Sequence, residues 1–292
     1  MSARRFDCGS AALCSWRERI CVNPRHLRIE VQVVPITLPP MLAAWHLLLL
    51  FATGLVAGFV DSIAGGGGLI TLPVLLNLGI DPRFALGTNK LQASFGSGSA
   101  TMHFARAGTV PLRDCRRGFV ITFIGAALGT LLVQQLPRDF LAHAIPVLLA
   151  VVAVYFLLKP DLGAADAPPR LARGWFDAGF GLLLGFYDGF FGPGTGTFWA
   201  MAFVLGLGFN LTRATGYTKV MNFASNLSSL LFFLLGRNVL FGPGLAMGVG
   251  QLLGARLGAR LVITKGVKFI RPIFISMVLA ITAKLLYDNY LK

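Results

Sequence analysis

The chain has 292 residues, 55% of them hydrophobic and only 13% charged, with a mean hydropathy of +0.71. Soluble domains carry about a quarter charged residues, so composition excludes an ordinary water-soluble fold. The net charge of +14 does not indicate nucleic acid, because Lys and Arg form short clusters between apolar runs, where membrane orientation signals lie. Uncharged windows at 41–60, 118–136, 140–158, 189–211, 220–236 and 238–255 recur along the chain, and several reach the roughly 20 residues a helix needs to cross a bilayer.

Residues 1–40 stand apart. They hold six Arg, three of the four Cys and both Glu of the chain, Glu18 and Glu30. The segment is either a basic cytoplasmic or targeting extension or the product of a start placed ahead of Met41; it is left out of the fold. The four cysteines lack the C-x-x-C spacing of a zinc site. From Met41 the pattern predicts a first transmembrane repeat over 41–158. It contains a long helix at 42–62 ending near Asp61, a short one at 69–79 after four glycines, a polar one at 86–105, and two plain ones at 117–136 and 139–158. A linker at 159–173, rich in Pro, Ala and charge, leads to a second repeat over 174–292, with elements at 174–191, 194–209, 215–235, 238–262 and 269–287.

The repeat is visible in three blocks in the same order. Gly58-Phe-Val-Asp61-Ser-Ile-Ala-Gly65 lies over Gly185-Phe-Tyr-Asp188-Gly-Phe-Phe-Gly192, and Ala85-Leu-Gly-Thr-Asn-Lys90 over Ala214-Thr-Gly-Tyr-Thr-Lys219. GAALGTLLV at 125–133 matches GARLGARLV at 254–262 in six of nine places. The expected fold is therefore all-α and polytopic, with about 8–10 membrane segments in two homologous halves and Gly-broken helices. If the short element crosses, the halves are inverted, 5+5; if it turns back, they are parallel, 4+4. Crossing puts the basic residues of 106–117, 159–173, 213 and 256–271 on one side, which favours the inverted arrangement.

Intramembrane polar residues concentrate at the glycine breaks and in the third element of each half. An ionised side chain at the bilayer centre costs at least about 2.5 kcal/mol, so it should face protein or a watery cavity. Asp61 and Asp188 precede Gly65–Gly68 and GPGTGT (192–197); Lys90 and Lys219 sit in the third elements. A glycine run stops a helix and exposes backbone groups, tolerable in a membrane only where they line a cavity or are buried. The helix that restarts presents free N–H donors and positive partial charge, which favours an anion. At helical spacing Lys90, Ser94, Ser97 and Thr101 form one polar stripe, and Lys219, Asn222, Asn226 and Ser229 another. The alternative for the serines is tight helix packing, with hydroxyls bonded back to their own backbone. For Asp61 and Asp188 the alternative is an architectural role as helix caps or as ion-pair partners of Lys219 and Lys90. No Gly-Lys-Ser/Thr follows the glycines, so they are not a nucleotide loop. His103, four residues after Ser99, raises an intramembrane hydrolase, although a lone His on a small-residue helix more often packs or bonds to a neighbouring helix. His46 and His143 lie in plain apolar helices.

GFVDSIAGGGGLITLPVLLNLG followed by ALGTNKLQASFGSGSATMHFARAG, with the weaker echo GFYDGFFGPGTG and GYTKVMNFASN, resembles the TauE/SafE family of sulfite and organosulfonate permeases over about 42–288. The resemblance implies a multi-pass carrier of small, often sulfur-containing anions in a bacterial inner membrane. The second half departs from the first, with Pro193 and Thr195 where Gly66 and Gly68 stand, so the two breaks need not bind equivalently.

The expected function is a secondary transporter of a small anion, such as sulfite or an organosulfonate, working by alternating access and not as an enzyme, with no cofactor and no metal. Candidate substrate-binding residues are Asn89, Lys90, Ser94, Ser97, Lys219, Asn222 and Asn226, with Gly66, Gly67, Gly194 and Thr195 at the breaks. Asp61 and Asp188 are candidates for coupling to a proton, because burial favours a neutral carboxyl; sodium is the other coupling ion considered. An anion channel or sensory membrane protein is the alternative. Expected partners are the anion, the coupling ion and the lipid bilayer; the oligomeric state is open, a homodimer being one candidate.

Overall fold

A computed structural model describes residues 44–137, 139–145, 147 and 166–265, all within one structural unit, Ile36–Lys292. The 1–40 segment, the 269–287 element, most of the 139–158 element and the start of the linker lie outside the described residues.

The described elements are helical. They are α1 (Ala44–Ala64), α2 (Gly68–Asn77), α3 (Pro82–Arg106), a 3-10 turn (Leu112–Cys115), α4 (Arg116–Gln135), α5 (Arg173–Phe190), α6 (Thr195–Leu207), α7 (Leu211–Leu235) and α8 (Phe241–Lys265). The third element of each half starts four residues earlier than its polar pattern indicates. The reason is capping: Asp81, ahead of Pro82, accepts from the Arg83 amide at 2.9 Å, and Asn210 accepts from Arg213 at 2.9 Å. Each cap satisfies an otherwise unpaired first-turn donor.

Two interfaces join the halves through glycine. In α1 and α8, a Cβ on Gly54, Gly58, Gly250 or Gly254 would stand within 2.4 Å of a backbone oxygen of the other helix. In α4 and α5 the same holds within 2.5 Å for Gly125, Gly129, Gly185 and Gly189. Spaced four apart, these glycines let backbones touch where lipid supplies no hydrophobic drive for association. The pairing is reciprocal: the first helix of each half packs on the fourth of the other, and α3 packs on α7.

Registers fix the directions. Along α3 and α8, Leu91 meets Gly244, Phe95 meets Gly248 and Ser99 meets Leu252, a parallel pair. Gly54 meets Met247 and Gly58 meets Gln251, so α1 also runs parallel to α8. Phe104 meets Gly216, Gly98 meets Phe223 and Gly87 meets Phe233, so α3 and α7 are antiparallel. Because α1 and α3 point the same way, the chain must return between Ala64 and Pro82. Only α2 and its flanking turns make that return, its 10 residues covering about 15 Å.

By length and apolar composition, two stretches of the described helices suffice to cross a membrane, Trp45–Ile63 and Leu112–Gln135. The other long helices carry their polar residues inward: Lys90, Gln92, Ser97, Lys219, Ser225 and Asn226 are buried, while Leu128, Leu183, Leu231, Val249 and Leu257 are exposed. Such a surface suits hydrocarbon, and the inward polar load is what lowers the hydropathy of α3 and α7.

Candidate functional site

α1 runs three residues past Asp61 before Gly65, at φ +77°, turns the chain. The Gly65 amide donates to the Asp61 carbonyl at 2.8 Å and the Gly67 amide to Asp61 Oδ1 at 3.1 Å, so Asp61 folds the break around itself. In the second half Gly192 and Gly194 take φ +98° and +82°, and the Tyr187 hydroxyl donates to the Pro193 carbonyl at 2.9 Å. The two breaks touch: a Cβ on Gly65 would lie 2.5 Å from Gly196 Cα, and one on Gly196 the same distance from Gly65 Cα. No larger residue fits at either position.

Each lysine crosses to the opposite half. Lys90 Nζ donates to Asp188 Oδ1 at 2.6 Å, to the Asp188 carbonyl, and at 3.4 Å to Asn226 Oδ1. Lys219 Nζ donates to Asp61 Oδ2 at 3.1 Å and to the Asp61 carbonyl. The Lys90 and Asp188 side chains are 2% and 5% exposed, those of Lys219 and Asp61 1% and 16%. An ammonium placed on the last-turn carbonyl of a helix also opposes its negative end. Ser225 Oγ donates to Asp188 Oδ2.

Between the breaks lies a cavity with about 30 Å³ open to water-sized molecules, room for about two waters. Of the residues singled out from sequence, Asp61, Gly67, Asn89, Lys90, Asp188, Gly194, Thr195, Asn222 and Asn226 line it. Ser94 does not; its hydroxyl bonds back to the Lys90 carbonyl at 2.8 Å. Ser97 bonds back to Ala93 at 2.7 Å and accepts from Asn226 Nδ2 at 3.3 Å, steadying a wall residue from behind. Lys219 is turned to Asp61, and Gly66 is not in the wall. The structure adds Gly65, Gly68, Ala93, Gly192, Gly196 and Gln251.

Asn89 is oriented from outside the cavity. Its Oδ1 accepts from Thr71 Oγ1 at 2.5 Å and Gln92 Nε2 at 2.7 Å, which leaves Nδ2 toward Gly68, 3.6 Å from where a Cβ there would stand. Asn222 Nδ2 lies 2.9 Å from the equivalent point on Gly196. Gln251, 1% exposed, lays its side chain across Gly96, where a Cβ would meet its Cγ at 2.3 Å. Its sequence signal was a lone amide among glycines, GVGQLLG, in a helix otherwise plain. The Ser99 hydroxyl donates to the Leu252 carbonyl at 3.0 Å and joins α3 to α8. Among the described residues no cluster of three or more His, Cys, Asp or Glu could hold a metal.

The arrangement is a small polar chamber with amide donors facing two short-helix N-termini. The family model for the sulfite exporter TauE/SafE matches residues 50–285. The chain is 48% identical over 241 residues to "Probable membrane transporter protein YfcA" of Escherichia coli, covering 82% of this chain and 90% of that protein. It is 49% identical over 243 residues to a "Probable membrane transporter protein" of Haemophilus influenzae, covering 83% and 95%. More distantly, it is 25% identical over 271 residues to "Probable membrane transporter protein YunE" of Bacillus subtilis, covering 83% and 98%. This chain belongs to the sulfite exporter TauE/SafE family of membrane transporters.

Proposed function

We propose that the chain is a secondary carrier of a small oxyanion, in the class of sulfite or a sulfonate, that works by alternating access in a bacterial inner membrane. The observation that carries this reading is the polar chamber where the two glycine breaks meet, its lining drawn from both halves. Broken helices at matching positions of two repeats are where secondary transporters hold their cargo. The antiparallel α3 and α7, and the parallel α3 and α8, support an inverted 5+5 repeat over a parallel 4+4 one, since repeats related along the membrane normal would reverse both relations. Arg106, Arg113, Arg116, Arg173, Arg213, Arg256 and Arg260 then fall at one end of the bundle, which becomes the cytoplasmic end. Asp61 and Asp188 are the groups for coupling to a proton, each within reach of one lysine.

Purified protein in proteoliposomes provides the test. Saturable sulfite or methanesulfonate flux that responds to an imposed proton gradient supports a carrier. Flux that rises linearly with concentration and ignores the gradient would replace it with the channel reading.

A further inference from the structure

We infer that the chamber selects singly charged anions and rejects dianions of the same size, because the groups free to bind cargo are neutral donors and not the lysines. This rests on the anion-carrier reading above and adds the charge class of the cargo.

The lysines are committed. Lys90 places its three donors on Asp188 Oδ1, the Asp188 carbonyl and Asn226 Oδ1, and Lys219 faces Asp61 outside the chamber wall. With Asp61 and Asp188 opposite Lys90 and Lys219, the formal charge of the group sums to zero. What faces the chamber uncommitted is neutral. The amides of Gly68, Gly194 and Gly196 meet no acceptor among the described residues. Asn89, 4% exposed, has its oxygen doubly held and its NH2 directed at Gly68. Asn222 Oδ1 and Gln251 Oε1 are buried without donors among the described residues, so neither amide is pinned and each is free to turn its NH2 to a ligand. Two helix N-termini and three buried amides thus converge on one small space.

Neutral dipoles set a limit on charge. Their attraction for an anion grows in proportion to its charge, whereas the desolvation cost of burying it grows roughly with the square. Doubling the charge therefore doubles the gain and about quadruples the cost, and among the described residues lining the chamber no unpaired cation offsets the difference.

Methanesulfonate and sulfate are tetrahedral, carry equal numbers of heavy atoms and differ by one charge. Titration calorimetry on the full-length protein in detergent at fixed ionic strength should give methanesulfonate the tighter binding by about tenfold or more. Sulfite affinity, referred to total sulfite, should rise as pH falls through its second ionisation, and by more than methanesulfonate affinity changes over the same range. Asn222→Leu and Gln251→Leu should each weaken monoanion binding without changing the order of the two charges. Sulfate binding as tight as methanesulfonate, or sulfite binding that improves as the dianion forms, overturns the charge selection and leaves the carrier reading standing. Absence of binding by methanesulfonate, sulfate and sulfite at every pH overturns both.

Discussion

Replacing Lys90 by Met keeps length and removes charge. The Asp188 carboxylate, 5% exposed, would keep Ser225 as its remaining described donor, and removing one partner of a buried ion pair costs about 3–5 kcal/mol. Lys219→Met strands a different carboxylate: Asp61 is 16% exposed and still accepts from the Gly67 amide. Residual water and that hydrogen bond place this change at or below about 3 kcal/mol. Lys90→Met should therefore be the more damaging of the two, although both lysines are almost wholly buried. Combining Lys90→Met with Asp188→Asn removes the stranded charge and should recover most of the lost stability. Unfolding of each variant, followed by tryptophan fluorescence in one detergent, gives the comparison. A double variant no more stable than Lys90→Met, or Lys219→Met worse than Lys90→Met, would refute this account of the pairs.

The glycine contacts predict a contrast within one helix. Gly189→Ala in α5 places a Cβ 2.0 Å from the Ala126 carbonyl and should destabilise by about 1–3 kcal/mol or more, whereas Gly179, with nothing within 4 Å, should tolerate Ala or gain from it; thermal unfolding of both variants checks this. In a background without native cysteines, Leu112→Cys and Thr264→Cys should react with an impermeant maleimide from the cytoplasmic face and Arg237→Cys from the other. Labelling of all three from one face would contradict the inverted repeat. Deleting residues 1–40 should leave insertion and flux intact, since the repeat and the chamber lie beyond them; failure of the shortened chain to insert would show that the segment acts.

In the sequence the proposed duplication is legible as three matched blocks, which in the structure are the break around the acid, the helical turn before the lysine and the glycine-spaced face of α4 and α8. It also offered the partners of Asp61 and Asp188 as Lys219 and Lys90, since an intramembrane charge needs an opposite one. Which serines face cargo was not legible. Ser94 and Ser97 share a stripe with Lys90, yet both hydroxyls can bond to the carbonyl four residues back, and in α3 they do. Gln251 escaped notice because a stripe argument needs several polar residues on one helix, and this amide comes alone from α8. The early starts of α3 and α7 were readable in Asp81-Pro82 and Asn210, local capping signals that hydropathy windows smooth away. The G-x-x-x-G spacing at 54/58, 125/129, 185/189 and 250/254 was likewise present, but spacing names a sticky face without naming the helix it meets.

The two matched stretches of the chain are unequal in detail, and that inequality bears on the proposed mechanism. Lys90 and Lys219 occupy matching positions, as do Asp188 and Asp61, yet one ion pair is sealed and lies in the chamber wall while the other has a partly exposed carboxylate and a lysine turned away from the wall. In an inverted repeat, exchanging the conformations of the two halves turns the molecule over with respect to the membrane while leaving its own bonding pattern nearly unchanged. In the carrier proposed above, the exchange would seal Asp61 and loosen Asp188, so the exposure of the two carboxylates would alternate. Each lysine bridges to the other half, so both ion pairs tie the two glycine breaks together. The contact of Gly65 with Gly196 lies where the two breaks meet, and a side chain at either position would force them apart.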